Sequence, residues 1–277
     1  MEPGTGQDTG GTLPEGLERA IRESARDIAA LLRTVTDTTV YVPGSEWTVG
    51  EAAAHLAQAN ELMADLAGGH ERPYGDGTPQ SLAAANARAL AEFGERRAEP
   101  LAAMIVQQAD RLLDAVAEAV ADETADRTVV TPLGPMNRPV LASYLLTHML
   151  GHGYDLARAL GRPHMIDRVR VALCMPFMTI AMPIVADTTA TAGLTVRYTL
   201  RLRGGSAFGV AFTDGAVQVT PGPLDRPDCT IVTEPVTFLL MALGRRDPWR
   251  AIARGQVLAR GRKPWLALRF PTLFTAP

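Results

Sequence analysis

Two of the chain's five histidines, His148 and His152, stand four residues apart in the stretch Leu145 to Leu156. On a helix this spacing stacks both imidazoles on one face, a turn apart, which is how a helix offers two nitrogens to one metal ion. Such a pair can equally cap a carbonyl, pack in a core or titrate on the surface, and HxxxH lacks the acid of the metalloprotease motif HExxH. A third ligand would favour metal, because a catalytic zinc keeps three protein ligands and one open position. His55 is the candidate third ligand. Its alternative reading is a core histidine bonded to a backbone carbonyl.

The elements that must position these residues can be read around them. Thr48 and Glu51 have the spacing of a capping box and start a helix that runs to about Leu66, where Gly68-Gly69 ends it. His55 lies two turns into that helix among Ala52, Ala54 and Leu56, so its ring should face other helices. The pair His148/His152 sits on a helix from Pro139 to Leu160, closed by Gly161 and followed by Pro163. A first helix within Leu13 to Val35 shows the stripe Leu17, Ile21, Ala25, Ile28, Leu31, Leu32. A long helical region from Gln80 to Ala125, bent near Glu99-Pro100, supplies the third, and Thr131 to Pro135 reads as a breaker cluster. Four amphipathic helices with one long connection predict a four-helix bundle, whose metal sites are built from facing helices.

Beyond Pro163 the texture changes, so the expected division is a disordered tail over 1–12, a helical bundle over 13–163 and an α+β domain over 164–277. The second domain opens on a kinked helical stretch, Arg168 to Ala192. A strand from Leu194 to Leu202 follows, with Val196, Tyr198, Leu200 and Leu202 on one face and Arg197, Thr199, Arg201 and Arg203 on the other. Further strands are expected over 207–212, 217–220, 229–233 and 257–259, with short helices at Pro235 to Leu243 and Trp249 to Arg254 and a last helix from Pro264 to Leu273. The pattern predicts an antiparallel sheet with helices on one side. Met175, Met178 and Met182 have helical spacing, which suits a core and could also line a lipid tunnel that Phe270, Leu273 and Phe274 would cover.

Composition excludes several classes. With 277 residues, 47% hydrophobic and 21% charged, the chain is an ordinary globular protein with room for two domains. A net charge of −3 and arginines scattered among acids argue against nucleic acid as a partner. The most apolar stretch, Val169 to Val185, is interrupted by Pro176 and Pro183, so no membrane span is expected. Cys174 and Cys229 have neither disulfide-framework nor zinc-ribbon spacing. A cytoplasmic location follows, as a monomer or small homo-oligomer, with no signal peptide expected at the N-terminus.

Trp47-Thr48-Val49-Gly50-Glu51 running into His55, with His152 to Gly161 downstream, resembles the DinB-like metal-binding bundle of the mycothiol-dependent maleylpyruvate isomerase family. The run from Asp228 through Gly244, Pro248, Gly255 and Gly261 is similar to the sterol carrier protein type two fold, which follows that bundle in many members. The resemblance implies a divalent metal, zinc first and nickel or iron as alternatives, on His55, His148 and His152. It also implies mycothiol or another low-molecular-weight thiol as co-substrate. Here the sequence departs from the commoner pattern, which has a glutamate at the position of His148; three neutral imidazoles leave the ion's charge uncompensated and make the centre more Lewis-acidic. Asp155, one turn past His152, could accept a ligand's second ring N–H or be a plain surface or capping aspartate.

In the family, a thiolate adds to an activated double bond, a single bond rotates, and elimination returns the other isomer. The implied function is therefore a thiol-dependent isomerase or S-transferase on a small electrophile. The family takes an arginine from the second domain to hold an anionic substrate, and Arg197, Arg201 and Arg203 are the candidates, with a solvated polar face as the alternative. Two other functions stay open: a small-molecule or lipid-binding protein with a structural bundle, and a metal-assisted hydrolase, since an open metal position activates water as readily as a thiol.

Overall fold

The computed structural model describes residues 12–76 and 79–275, so the tail expected over 1–12 falls outside the described residues except at Thr12. The chain divides into two compact units, Met1–His164 and Met165–Pro277.

The first unit contains α1 (Leu17–Leu32), α2 (Val49–Ala67), α3 (Leu82–Glu92), α4 (Ala98–Ala121), the strands β1 (Val129–Thr131) and β2 (Gly134–Met136), and α5 (Arg138–Ala159). Periodicity makes the core: Leu17, Ile21, Ala25, Ile28 and Leu32 fall on one face of α1 and all are buried. Helices α1 and α2 each pack on both α4 and α5, so the expected four-helix bundle consists of these four. Leu56, Leu101, Ile105, Leu112 and Leu145 fill its centre with no exposed surface. Each such side chain contributes about 2 kcal/mol of burial.

One expectation for this unit is corrected. The region 80–125 is two helices rather than one bent one, with extended backbone at Phe93 and Arg97 between α3 and α4. Side chains hold the break open: Glu95 accepts the amides of Arg96 and Arg97 at 2.9 and 2.8 Å, and Arg96 donates to the carbonyl of Leu90 at 2.7 Å. Pro100 then falls in the first turn of α4, where its missing N–H costs nothing. The breaker expected at 131–135 is there, and its Pro132-Leu133 turn closes a hairpin in which Val129–Thr131 pairs with Gly134–Met136. The Thr131 hydroxyl donates across it to the Gly134 carbonyl at 2.7 Å.

The second unit contains α6 (Arg168–Ile184), α7 (Thr188–Thr191), β3 (Val196–Leu202), β4 (Ala207–Thr213), β5 (Ala216–Pro221), β6 (Cys229–Thr233), α8 (Pro235–Ala242), α9 (Pro248–Ala253) and β7 (Val257–Arg260). The sheet order is β5-β4-β3-β6-β7, and β3 runs antiparallel to β4 but parallel to β6. The sheet is therefore mixed, not antiparallel as expected. After β5 the chain crosses to the far side of β3, where Asp228 anchors it. The amides of Arg197 and Asp228 reach across, Arg197 N to Asp228 Oδ2 at 3.1 Å and Asp228 N to Arg197 O at 2.8 Å.

The face of β3 expected to be polar is exposed at Arg197 and Arg201, but Thr199 between them is only 1% exposed. Leu224 covers it, donating its amide to Thr199 Oγ1 at 3.1 Å. On the neighbouring strand Gly209 makes room for that leucine, because a Cβ there would lie 2.4 Å from Leu224 Cγ.

The methionine stripe of α6 is core: Met175, Met178 and Met182 are all buried. The expected last helix is instead two short 3-10 turns, Pro264–Leu268 and Phe270–Leu273. Pro271 has no N–H to continue a helix across the join. Phe270 packs on Tyr198 at 4.9 Å and Phe274 on Phe212 at 6.1 Å, so these residues seal the sheet's core. Among the described residues no helix is long and apolar enough to cross a membrane.

Candidate metal centre

The centre is built from the start of α2 and the middle of α5. Thr48 caps α2 as the capping box requires: the Glu51 amide donates to Thr48 Oγ1 at 3.2 Å, and the Thr48 amide donates to Glu51 Oε2 at 2.8 Å. Gly50 fits a close approach, since a Cβ there would stand 3.0 Å from the Arg96 carbonyl oxygen and 3.2 Å from Thr38 Cβ. These contacts fix the rotation of α2 and turn His55 inward, where 6% of it is exposed. Helix α5 is fixed in turn by Asn137, whose side chain accepts the Val140 amide at 3.0 Å, and by Gly161 beyond its end at φ 62°.

The three histidines come together. His55 Nε2 and His148 Nε2 are 3.2 Å apart, and one nitrogen from each of His55, His148 and His152 lies within 4.8 Å of the others. His148 and His152, both half-buried, keep their rings 4.5 Å apart, one turn from each other on α5. Asp155 stands beside them, with Oδ2 3.6 Å from His152 Nδ1. This is the side of the ring where an acceptor orients a metal ligand. Among the described residues this is the group of histidines, cysteines and acids whose donors converge closely enough for one ion.

Two aromatic residues complete the surroundings. Trp47, just before the α2 cap, lies against His55 with ring centroids 4.8 Å apart and stacks on His152 at 6.1 Å and 26°. Tyr144, one turn before His148, meets that imidazole edge-on at 6.3 Å and 87°. Desolvation, with the nearby phenol of Tyr74 second, pushes the Tyr144 phenol well above its ordinary range, so it stays protonated. Tyr74 donates to Asn86 Oδ1 at 2.6 Å. Sequence reading passed over Tyr144, although positions 144, 148 and 152 form one stripe of α5 and carried the signal.

The arginines singled out in sequence belong to the second unit. Arg197 and Arg201 project from β3, and Arg203, just past it, donates to the Gly255 carbonyl at 3.1 Å. Both cysteines are buried and in no disulfide, and burial pushes the Cys229 thiol up, away from a ready thiolate.

Comparison with known proteins follows the same division. A family model for the mycothiol maleylpyruvate isomerase N-terminal domain matches residues 17–157, and one for the SCP-2 sterol transfer family matches residues 186–274. Among solved structures, a mycothiol-dependent maleylpyruvate isomerase is similar at 15% identity over 89% of this chain and 93% of that one, with a TM-score of 0.48. A single-site variant of such an isomerase is similar at 14% identity over 89% and 93%, with a TM-score of 0.50, which supports a shared fold. No curated protein matches the chain. The first family model spans half of the sequence, and the chain belongs to the family of the mycothiol maleylpyruvate isomerase N-terminal domain, followed by a stretch similar to the SCP-2 sterol transfer family.

Proposed function

We propose that this protein is a metal-dependent isomerase that uses a low-molecular-weight thiol of the mycothiol kind on a small electrophilic acid. The observation that carries the reading is the convergence of His55, His148 and His152 in a chain of this family. The donor set fits an ion: tetrahedral zinc with Zn–N near 2.0–2.1 Å needs nitrogens about 3.3 Å apart, and the two Nε2 atoms stand at 3.2 Å. A divalent ion held there supplies a Lewis-acidic open position that acidifies a thiol and holds it as the nucleophilic thiolate.

The chain's own residues do the rest. Asp155 faces His152 Nδ1, favours the proton on that nitrogen and so leaves Nε2 as donor. Trp47 and the protonated Tyr144 bracket the imidazoles and keep bulk water from one side of the site. Arg197, Arg201 and Arg203 are our candidates for the cation that holds a substrate carboxylate. In the reaction the thiol sulfur bonds to one carbon of an activated double bond while its π electrons move to the conjugated carbonyl. Rotation about the new single bond and return of those electrons expel the thiolate and leave the other isomer. S-transfer would be the same addition without the return step.

The test is thiol-dependent cis-to-trans isomerisation of maleylpyruvate by metal-replete protein. Turnover that needs the thiol, is lost in His55→Ala and has a raised KM in Arg201→Ala supports the reading. Metal-replete protein without thiol-dependent turnover on maleylpyruvate or related cis-enedioyl acids overturns it.

A further inference from the structure

The second unit carries a rim that the chemistry above does not use. Four large apolar side chains stand exposed on three consecutive segments: Trp249 of α9 at 55%, Leu258 of β7 at 52%, and Trp265 and Leu268 of the following 3-10 turn at 63% and 43%. The segments are neighbours in space. Helix α9 packs on β7, the 3-10 turn packs on β7 and β6, and β7 is the edge strand of the sheet.

The same stretch has an unusual charge. From Pro248 to the end the sequence contains Arg250, Arg254, Arg260, Arg262, Lys263 and Arg269 and no aspartate or glutamate, in a chain whose net charge is −3. All six cationic residues are exposed. Asp247 reaches Arg250 at 3.7 Å, and Asp228 takes Arg262 and Lys263 at 2.9 and 3.2 Å. Two carboxylates against six cations leave the rim positive.

We propose that this rim docks the protein on the surface of an anionic lipid bilayer. Tryptophan is the side chain that settles at the boundary of headgroups and hydrocarbon, and leucine beside it gains by entering the acyl region. Arginines around them meet the negative surface potential of the leaflet. Exposed leucines have no counterpart on a nucleic-acid backbone, and a second copy of the rim would set six cations against six, so neither fits as well. Docking of this kind is peripheral, in keeping with the absence of a spanning helix among the described residues.

The test is flotation of the full-length protein with phosphatidylcholine vesicles, with and without phosphatidylglycerol, at low and high salt. Binding is expected only with phosphatidylglycerol and should fall steeply with salt. Trp249→Ser with Trp265→Ser, and separately Arg254→Glu with Arg260→Glu, should each weaken it by about tenfold or more while circular dichroism stays that of wild type. Equal binding to neutral vesicles, no binding at low salt, or binding untouched by both variants would each overturn the proposal. So would tighter capture of a duplex oligonucleotide that needs the arginines and not the tryptophans.

Discussion

Asp155 Oδ2 lies 3.6 Å from His152 Nδ1, one turn further along α5, so a carboxylate stands at the back of an imidazole in the histidine cluster. This relationship makes the aspartate separable from the three histidines themselves. Asp155→Asn should weaken metal affinity by roughly 10–100-fold without abolishing it. Competition against a chelator of known affinity measures the change.

His55, His148 and His152 should fail more completely. Wild type should hold near one ion per chain, and each single substitution by alanine should lose it, since a set of two nitrogens lacks the third protein ligand of a catalytic site. Elemental analysis of the untagged protein reads the stoichiometry. Far-ultraviolet circular dichroism should show the helices intact.

Gly50 offers a test of how α2 is aimed. In Gly50→Ala the added methyl meets the Arg96 carbonyl oxygen at 3.0 Å and Thr38 Cβ at 3.2 Å, and backbone is poor at giving way. The expected cost is about 1–3 kcal/mol of stability, seen as a lower melting temperature. Metal retention should fall with it, because the same contacts set the rotation of His55.

Asp228 gives the second unit a pH limit. Burial by itself raises its carboxyl, but the Arg197 amide, Lys263 and Arg262 outweigh that and hold it below the usual 3.8. A depressed carboxylate contributes stability above its unfolded-state pKa and loses it as pH falls through the folded value. The second unit should therefore melt progressively earlier below pH 3.8. Asp228→Asn should remove that dependence and cost about 2 kcal/mol at neutral pH. Thermal melts across acid pH check both.

Much of the first unit was legible because its signals are local. The capping box of Thr48 and Glu51 and the i, i+4 pair on α5 are set within two turns of chain, and the apolar stripe of α1 repeats within one helix. The break between α3 and α4 was not, because Glu95 and Arg96 make it with side-chain bonds to nearby backbone and neither is a conventional breaker. Local sequence marked β3 and β6 as strands but says nothing of partner or direction, so their parallel pairing across β4 and β5 was missed. Thr199 followed the polar alternation and is buried all the same, because Leu224, twenty-five positions away, folds over it.

The cluster also ties together distant parts of the chain. His55 and His148 are 93 positions apart, and nothing in an unfolded chain holds their rings at 3.2 Å. An ion bound there recognises only the folded bundle, so each occupied site works as a removable clasp across α2 and α5. At a free concentration a hundredfold above its dissociation constant, that clasp adds about 2.7 kcal/mol, a large part of a domain's whole stability. Ion supply would then govern how long the protein survives: chains short of metal would open more often and be cut by proteases first.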